Sequence, residues 1–273
     1  MNLIKIDEKT CNNDGICAAV CPAGLIDMKK GKFPESIAGA DELCIKCGHC
    51  VASCPTASIT HRHVPLEKCQ AIKDDLKISF EQCGQFLMSR RSIRSYRDKP
   101  VARKDIQKLL DIAAYAPSGH NTRLNKWLVI DNRDELKRFS GIVIDWMRFM
   151  LEGMREIAVS MHMDRAVERW EAGKDVILRK APVVVVAYDE AANPMAPSSC
   201  TIALAYLELA AHGMGLGACW AGYFNAAAMT FPPMKKALCL PESCQSFGSM
   251  MIGYPRFDYV RIPSRKKPDI SWR

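Results

Sequence analysis

The sequence predicts an α+β protein in two parts, a small one over residues 1–75 and a larger one over 76–273. Three observations lead there. The chain has 273 residues, against about 100–200 for a typical domain. Seven of its thirteen cysteines lie between Cys11 and Cys54, and the other six are scattered. Beyond about residue 76 the cysteine-rich pattern gives way to helical periodicity interrupted by a few strand-like runs. That alternation implies helices packed on a sheet as a sandwich.

The composition is ordinary for a globular protein, with 48% apolar and 25% charged residues. The most apolar run, Pro182 to Tyr188, is strand-sized and far short of the roughly 18–20 residues that cross a bilayer. From Met1 to Lys9 charged and apolar residues alternate, with no signal-peptide core, so a soluble, cytoplasmic protein is expected. The net charge of +8 is unevenly placed. Residues 1–75 hold nine Lys/Arg against ten Asp/Glu, and the rest hold 29 against 20. The second part should therefore meet something anionic. Its basic residues are interspersed rather than striped, and no groove-reading motif appears, which argues against nucleic acid.

In chain order, residues 2–6, 25–28 and 57–60 read as short strands, with the cysteine runs in the loops between them. Elements this short bury little apolar surface, so the small part needs a staple. Helices are expected over 80–90 and 104–116, the second stopped by Pro117. Residues 127–131 read as a buried strand. Helical periodicity resumes over 135–169, with breaks expected near Gly141 and Gly153. Val183 to Val186 is β-branched and reads as a central strand. Residues 200–212 are apolar nearly all round, which predicts a helix buried in the middle of the domain. Residues 246–253 form the last expected strand.

The cysteine runs carry the first chemistry. Cys44-Ile-Lys-Cys47-Gly-His-Cys50-Val-Ala-Ser-Cys54-Pro55 has the C-x2-C-x2-C-x3-C-P spacing of iron–sulfur proteins, in which three thiolates hold one cluster and the fourth reaches another. A zinc knuckle would show separated C-x2-C pairs without the proline ending. An earlier run, Cys11-Asn-Asn-Asp14-Gly-Ile-Cys17-Ala-Ala-Val-Cys21-Pro22, copies this spacing with Asp14 at the second cysteine position. Over residues 1 to about 65 the sequence resembles bacterial-type two-cluster ferredoxins. The resemblance implies that Cys21, Cys44, Cys47 and Cys50 hold one [4Fe–4S] cluster, and that Cys11, Cys17 and Cys54 hold the other. Asp14 either ligates the fourth iron, as a harder and weaker ligand, or belongs to an Asn-Asp-Gly turn, which leaves a [3Fe–4S] form open. His49 is read as a tuning group or an exposed loop residue, and His61 and His63 either as metal ligands or, as strand spacing favours, as one polar face of a strand.

The second part carries five short motifs. Arg90-Arg91-Ser92-Ile-Arg94 sets three guanidinium groups and a hydroxyl at a helix end, where such forks suit phosphate and carbonyl oxygens. Ala116-Pro-Ser-Gly-His-Asn121 makes a polar turn. Gly213-Met-Gly-Leu-Gly217-Ala-Cys-Trp-Ala-Gly222 follows the apolar helix, so its glycines act as a cap and tight turn rather than a Rossmann loop, which links a strand to a helix. Ile252-Gly-Tyr-Pro255 and Pro263-Ser-Arg265 come last. In this order the motifs resemble the FMN-dependent nitroreductase family across roughly residues 80–273.

That resemblance implies a nitroreductase-like α/β sandwich forming an intertwined homodimer, with FMN at the subunit interface. Arg90, Arg91, Ser92 and Arg94 would hold phosphate and flavin oxygens. Pro117, Ser118 and Asn121 would face the ring from the other subunit, Ala221 and Gly222 would offer backbone groups near N5, and Arg265 would return to the phosphate. The family commonly reads N-x-Q-P-W where this chain has Asn121-Thr-Arg123-Leu-Asn125. Arg123 therefore either meets the flavin or an anionic substrate, or lies on the surface. The whole chain resembles ferredoxin–nitroreductase fusion proteins, which implies an iron–sulfur flavoprotein oxidoreductase. Electrons would come from ferredoxin or NAD(P)H and pass to a small unsaturated acceptor such as a nitroaromatic, quinone or enone. The alternatives are an NAD(P)H-dependent FMN reductase with structural or sensory clusters, and a non-catalytic electron carrier. No side chain is expected to be the chemical centre; Tyr96, His120, Cys219 and Trp220 either line the pocket or pack the core.

Overall fold

The structure, a computed structural model, describes residues 2–273. It divides into two compact units. One runs from the N-terminus to Lys77 and takes in His120–Thr122; the other comprises Ile78–Gly119 and Arg123–Arg273.

The first unit contains β1 (Ile4–Ile6), α1 (Ile16–Ala19), β2 (Ile26–Asp27), β3 (Glu35–Ser36), α2 (Ala40–Leu43), α3 (His49–Ala52) and β4 (Ile59–His61). Strands β1 and β4 pair antiparallel, with Ile4 opposite His61 and Ile6 opposite Ile59. Strands β2 and β3 make a second two-stranded ribbon. The core is small, built on Leu3, Ile4, Leu25, Ile26 and Ile59, and half-buried cysteines pack around it. So few apolar side chains leave such a unit dependent on a cross-link or a bound metal group.

The second unit opens with α4 (Phe80–Ser89), capped by a reciprocal Ser79–Gln82 box. There follow α5 (Arg103–Ala113), β5 (Lys126–Ile130), α6 (Arg133–Gly153), α7 (Arg155–Ser160), α8 (Met163–Glu171) and β6 (Val183–Glu190). The chain then adds α9 (Ala196–Gly213), β7 (Gly217–Trp220), α10 (Gly222–Thr230), α11 (Pro232–Leu238) and β8 (Cys244–Gly253). The sheet order is β5-β6-β8-β7, and every pairing is antiparallel. The unit is therefore α+β in strand direction, not α/β with a parallel sheet.

Strand β6 explains the two layers. Val184 and Val186 face a core shared with α6, α8 and α10, where Phe139 and Phe224 pack ring on ring. Val183, Val185 and Ala187 face the other core, against α5 and α9. A strand buried on both faces reads as a continuous apolar run, which is why its sequence does not alternate.

Two expectations are corrected here. Helix α6 runs through Gly141 without a break, because a glycine with open space around it costs a helix only about 1 kcal/mol; the interruption falls at Met154. Helix α9 is not buried all round. Leu204, Leu207 and Ala211 are fully buried, while Tyr206 is 37% exposed. Tyr206, Leu209 and Ala210 border an open apolar groove of about 530 Å³ with Phe86 and Ile112.

Candidate functional site

In the first unit the two cysteine runs fold as a structural repeat. Gly15 and Gly48, both at φ 73°, each start a four-residue helix, α1 or α3. The second helical residue is a cysteine in both, Cys17 or Cys50, and the residue before the glycine is Asp14 in one run and Cys47 in the other. The left-handed backbone needs glycine there.

The cysteines gather in two sets, each drawn from both runs. Burial raises the Cys17 thiol, and the charges of Cys11, Cys54 and Asp14 press on it in turn. A small recess is lined by Cys11, Asp14, Cys17 and Cys54. Burial likewise pushes the Cys50 thiol up to about 11, and its charged neighbours are Cys47, Cys21 and Cys44. Among the described residues no three His, Cys, Asp or Glu converge as one metal ion requires. Sets of three or four thiolates are the ligand type that iron–sulfur clusters use.

Donors already point at the sulfurs. The amide N–H of Leu25 reaches Cys21 Sγ at 3.3 Å, and that of Lys46 reaches Cys44 Sγ at 3.4 Å. Burial pushes the Cys54 thiol up, but bonds from Ser58 and Thr56 outweigh it and bring the thiol down to about 7. Asp14 makes the bond of a turn and also borders the cysteine recess. Its Oδ1 accepts the N–H of Ile16 at 3.0 Å. His61 departs from its reading as half of a polar strand face. It is 3% exposed, and burial lowers its pKa. His63 instead meets Asp41, and His49 is exposed on α3.

In the second unit the fold brings two of the motifs together. Ser92 forms a parallel bridge with Ala218 of β7, and the N–H of Ile93 donates to the Ala218 carbonyl at 2.9 Å. Ala221 follows β7 directly, is 3% exposed and donates its N–H to Ser249; Gly222 then opens α10. Gly217 allows this approach. A Cβ there would stand 2.5–2.7 Å from Cγ1, Cβ and Cγ2 of Ile93. Gly217→Ala should therefore destabilise the protein by about 1–3 kcal/mol through overpacking, and a denaturant titration that leaves the midpoint unmoved would contradict this contact.

The three arginines part company. Arg90 Nη1 donates to Glu208 Oε1 at 2.8 Å, and Glu208 is buried on α9. One turn on, His212 meets Ser89 Oγ at 3.0 Å. Arg91 is half-buried and Arg94 exposed, with Arg94 Nη1 3.4 Å from the Ser92 carbonyl. Arg179 escaped the sequence reading. It is half-buried, in the loop before β6, with φ 56°. Burial raises the Cys219 thiol and the Tyr96 and Tyr223 hydroxyls, and the charge of Arg179 opposes each shift, joined by Arg94 at Cys219 and Tyr96. Nothing in its local sequence marks it, because tertiary packing alone brings it there.

The turn residues are differently placed. Ser118 Oγ accepts the N–H of Arg123 at 3.0 Å. His120, Asn121 and Arg123 all have φ between 45° and 55°, a strained region for side chains other than glycine. His120–Thr122 groups with the first unit, where the Asn121 amide donates to the carbonyls of Ile45 and Lys46 at 2.9 and 3.0 Å. Pro117 is exposed, and Arg265 lies in the exposed stretch 256–273. A cleft of about 930 Å³, walled by Tyr96, Arg133, Trp170 and Lys180, contains none of the motif residues expected at a flavin.

Comparisons with known proteins now bear on this geometry. Residues 87–254 match the model of the nitroreductase family, and residues 10–59 that of a 4Fe-4S dicluster domain. A protein of Archaeoglobus fulgidus, whose name joins NADH dehydrogenase and NAD(P)H nitroreductase, is 26% identical over 194 residues, covering 69% of this chain and 95% of the relative. A crystal structure of a nitroreductase with bound FMN from Bacteroides fragilis is 21% identical with a TM-score of 0.58, covering 69% of this chain and 96% of that one. Another, from Desulfitobacterium hafniense, is 22% identical with a TM-score of 0.55 over the same shares. At such identities the two structures speak for the fold. No helix among the described residues is long and apolar enough to cross a membrane. With its antiparallel sheet, its paired Arg-Ser and Gly-Ala motifs and a family match over more than half its length, the chain belongs to the nitroreductase family, an oxidoreductase with a 4Fe-4S dicluster domain ahead of the family domain.

Proposed function

We propose that this chain is an iron–sulfur flavoprotein oxidoreductase that holds FMN in its second unit and two clusters in its first, and reduces a small unsaturated acceptor. The observation that carries the reading is the gathering of seven cysteines and Asp14 into two sets within a chain whose other unit is of the nitroreductase family. Bound FMN would supply one- and two-electron chemistry, and the clusters single-electron transfer.

The chain's own residues have separable tasks in this reading. Cys21, Cys44, Cys47 and Cys50 hold one cluster, and Cys11, Cys17 and Cys54 the other, with Asp14 at its fourth corner. Ser92 and Arg94 lie beside β7 and would take flavin oxygens and phosphate together with Arg91 and Arg265. Gly222 would offer its backbone at the start of α10. Pro117, Ser118 and Asn121 would complete the site from a second copy, Arg123 would meet flavin oxygens or an anionic substrate, and the open apolar groove along α9 supports a homodimer. Seven clustered thiols suit a reducing compartment, the cytoplasm. Nitroaromatics, quinones and enones are the acceptor classes, and ferredoxin or NAD(P)H the donors.

A second reading has one observation in its favour. The relatives above are matched almost end to end by 69% of this chain, so about a third of it has no counterpart in them, and NAD(P)H could reduce FMN directly. The experiment for both is anaerobic reconstitution with iron and sulfide, with metal, flavin and EPR measured on one sample. About eight irons and one FMN per chain are expected if Asp14 completes its cluster, and about seven with an oxidised three-iron signal if it does not. Protein that binds no flavin would sink the proposal.

A further inference from the structure

We infer that His61 sets the electron affinity of the Cys21/Cys44/Cys47/Cys50 cluster by donating a hydrogen bond from Nε2 to the sulfur of Cys44. The inference rests on the cluster reading proposed above. It starts from the placement of the ring. His61 ends β4, is 3% exposed, and brings Nε2 to 3.4 Å from Cys44 Sγ.

The proton's location on that ring follows from its other nitrogen. Nδ1 of His61 lies 3.0 Å from the backbone N of His63. A backbone amide can only donate, so Nδ1 accepts. A neutral imidazole carries a single N–H, which must then be on Nε2. The ring therefore donates to sulfur, and its tautomer is fixed by the main chain rather than by solvent.

The surroundings hold that arrangement in place. His63 Nε2 meets Asp41 Oδ1 at 2.7 Å, and Arg62 Nη1 meets Asp41 Oδ2 at 2.9 Å. Asp41 belongs to α2, three residues before Cys44. The end of β4 is thus strapped at two points to the stretch that carries the sulfur. The other set of sulfurs is served differently: Cys54 Sγ lies 3.3 Å from Ser58 Oγ and 3.6 Å from Thr56 Oγ1. A ring N–H on one set and hydroxyls on the other make the two clusters chemically unequal.

Reduction adds an electron that spreads onto the ligand sulfurs, and an N–H aimed at sulfur favours the electron-rich state. Burial strengthens the bond by keeping water from competing. His61 thereby makes its cluster easier to reduce. It acts through Cys44 and is a positioning residue, not a catalytic one.

The test is an anaerobic redox titration of the full-length reconstituted protein, followed by EPR, for wild type, His61→Ala and His61→Gln. His61→Ala should lower the reduced-to-oxidised ratio of one cluster about tenfold at a fixed potential, a shift of about 59 mV for one electron. The other cluster should not move, and His61→Gln, which retains an N–H, should recover part of the loss. Unchanged potentials, or an equal shift in both clusters, would overturn the inference. Should His61→Ala lose its iron, wild type labelled with ¹⁵N-histidine decides. Pulsed EPR of the reduced protein should show a histidine nitrogen coupled to one cluster and lost in His61→Gln, and its absence would overturn the inference. Wild type that takes up no iron would instead overturn the cluster reading itself, and metal analysis shows that before any titration.

Discussion

Cys47→Ser should cut turnover driven by a low-potential one-electron donor by more than about a hundredfold while leaving the flavin content unchanged. Cys47 stands with Cys21, Cys44 and Cys50, and its counterpart in the other run is Asp14. Serine offers a harder, more basic oxygen in place of a thiolate and holds iron less well. The substituted set should lose most of its iron, and the Cys11/Cys17/Cys54 set should keep its own. A one-electron donor then has no intact relay to the flavin. The family domain spans residues 87–254 and contains none of these cysteines, so FMN content serves as an internal control on its integrity. The same variant separates the two readings of the enzyme. If NAD(P)H reduces FMN directly, NAD(P)H-driven turnover survives the substitution while ferredoxin-driven turnover falls. If both survive at full rate, the clusters carry no current, and the proposed electron path is wrong.

Much of the fold was legible because its signals are local. The C-x2-C-x2-C-x3-C-P run needs no tertiary context, and the copy ending at Cys21 exposes itself by spacing. The valines of β6 announce a strand buried on both faces, and Pro117 marks the end of α5 within a few residues. What stayed hidden depends on contacts distant in sequence. β7, α10 and α11 are short and lie in a stretch rich in small residues, where neither period stands out. Gly217 looked like part of a turn; its role comes from Ile93, over a hundred residues earlier. His61 alternates with His63 as two residues of a polar face would, yet the strand's inward side is where the Cys44 sulfur sits. Arg179 has no motif around it at all. The chemistry of the Arg-Ser segment was readable as a set of guanidinium groups, but not that one of them is already committed to a carboxylate.

That commitment yields the second large effect. Arg90→Ala should destabilise the protein by about 3 kcal/mol, because it leaves Glu208 as a buried carboxylate without its cation. The side chain of Glu208 is only 11% exposed, and that of Arg90 29%, so water can rescue the arginine better than the glutamate. Glu208→Ala should therefore cost less, about 1–2 kcal/mol, with the stranded guanidinium turning toward solvent. The double variant should come out more stable than the sum of the single losses, since removing both charges also removes the desolvation that their attraction offsets. Equilibrium denaturation of the four proteins gives the coupling energy directly. Flavin retention adds a second axis. Arg90 sits beside Arg91 and Ser92, and a pair that anchors the backbone there should weaken FMN binding when either partner is lost, whether or not Arg90 touches the cofactor. Were Arg90 instead a phosphate ligand held in reserve by Glu208, Glu208→Ala would free it and tighten FMN binding. Weaker binding in both single variants assigns the pair to scaffolding, whereas opposite signs assign Arg90 to the cofactor.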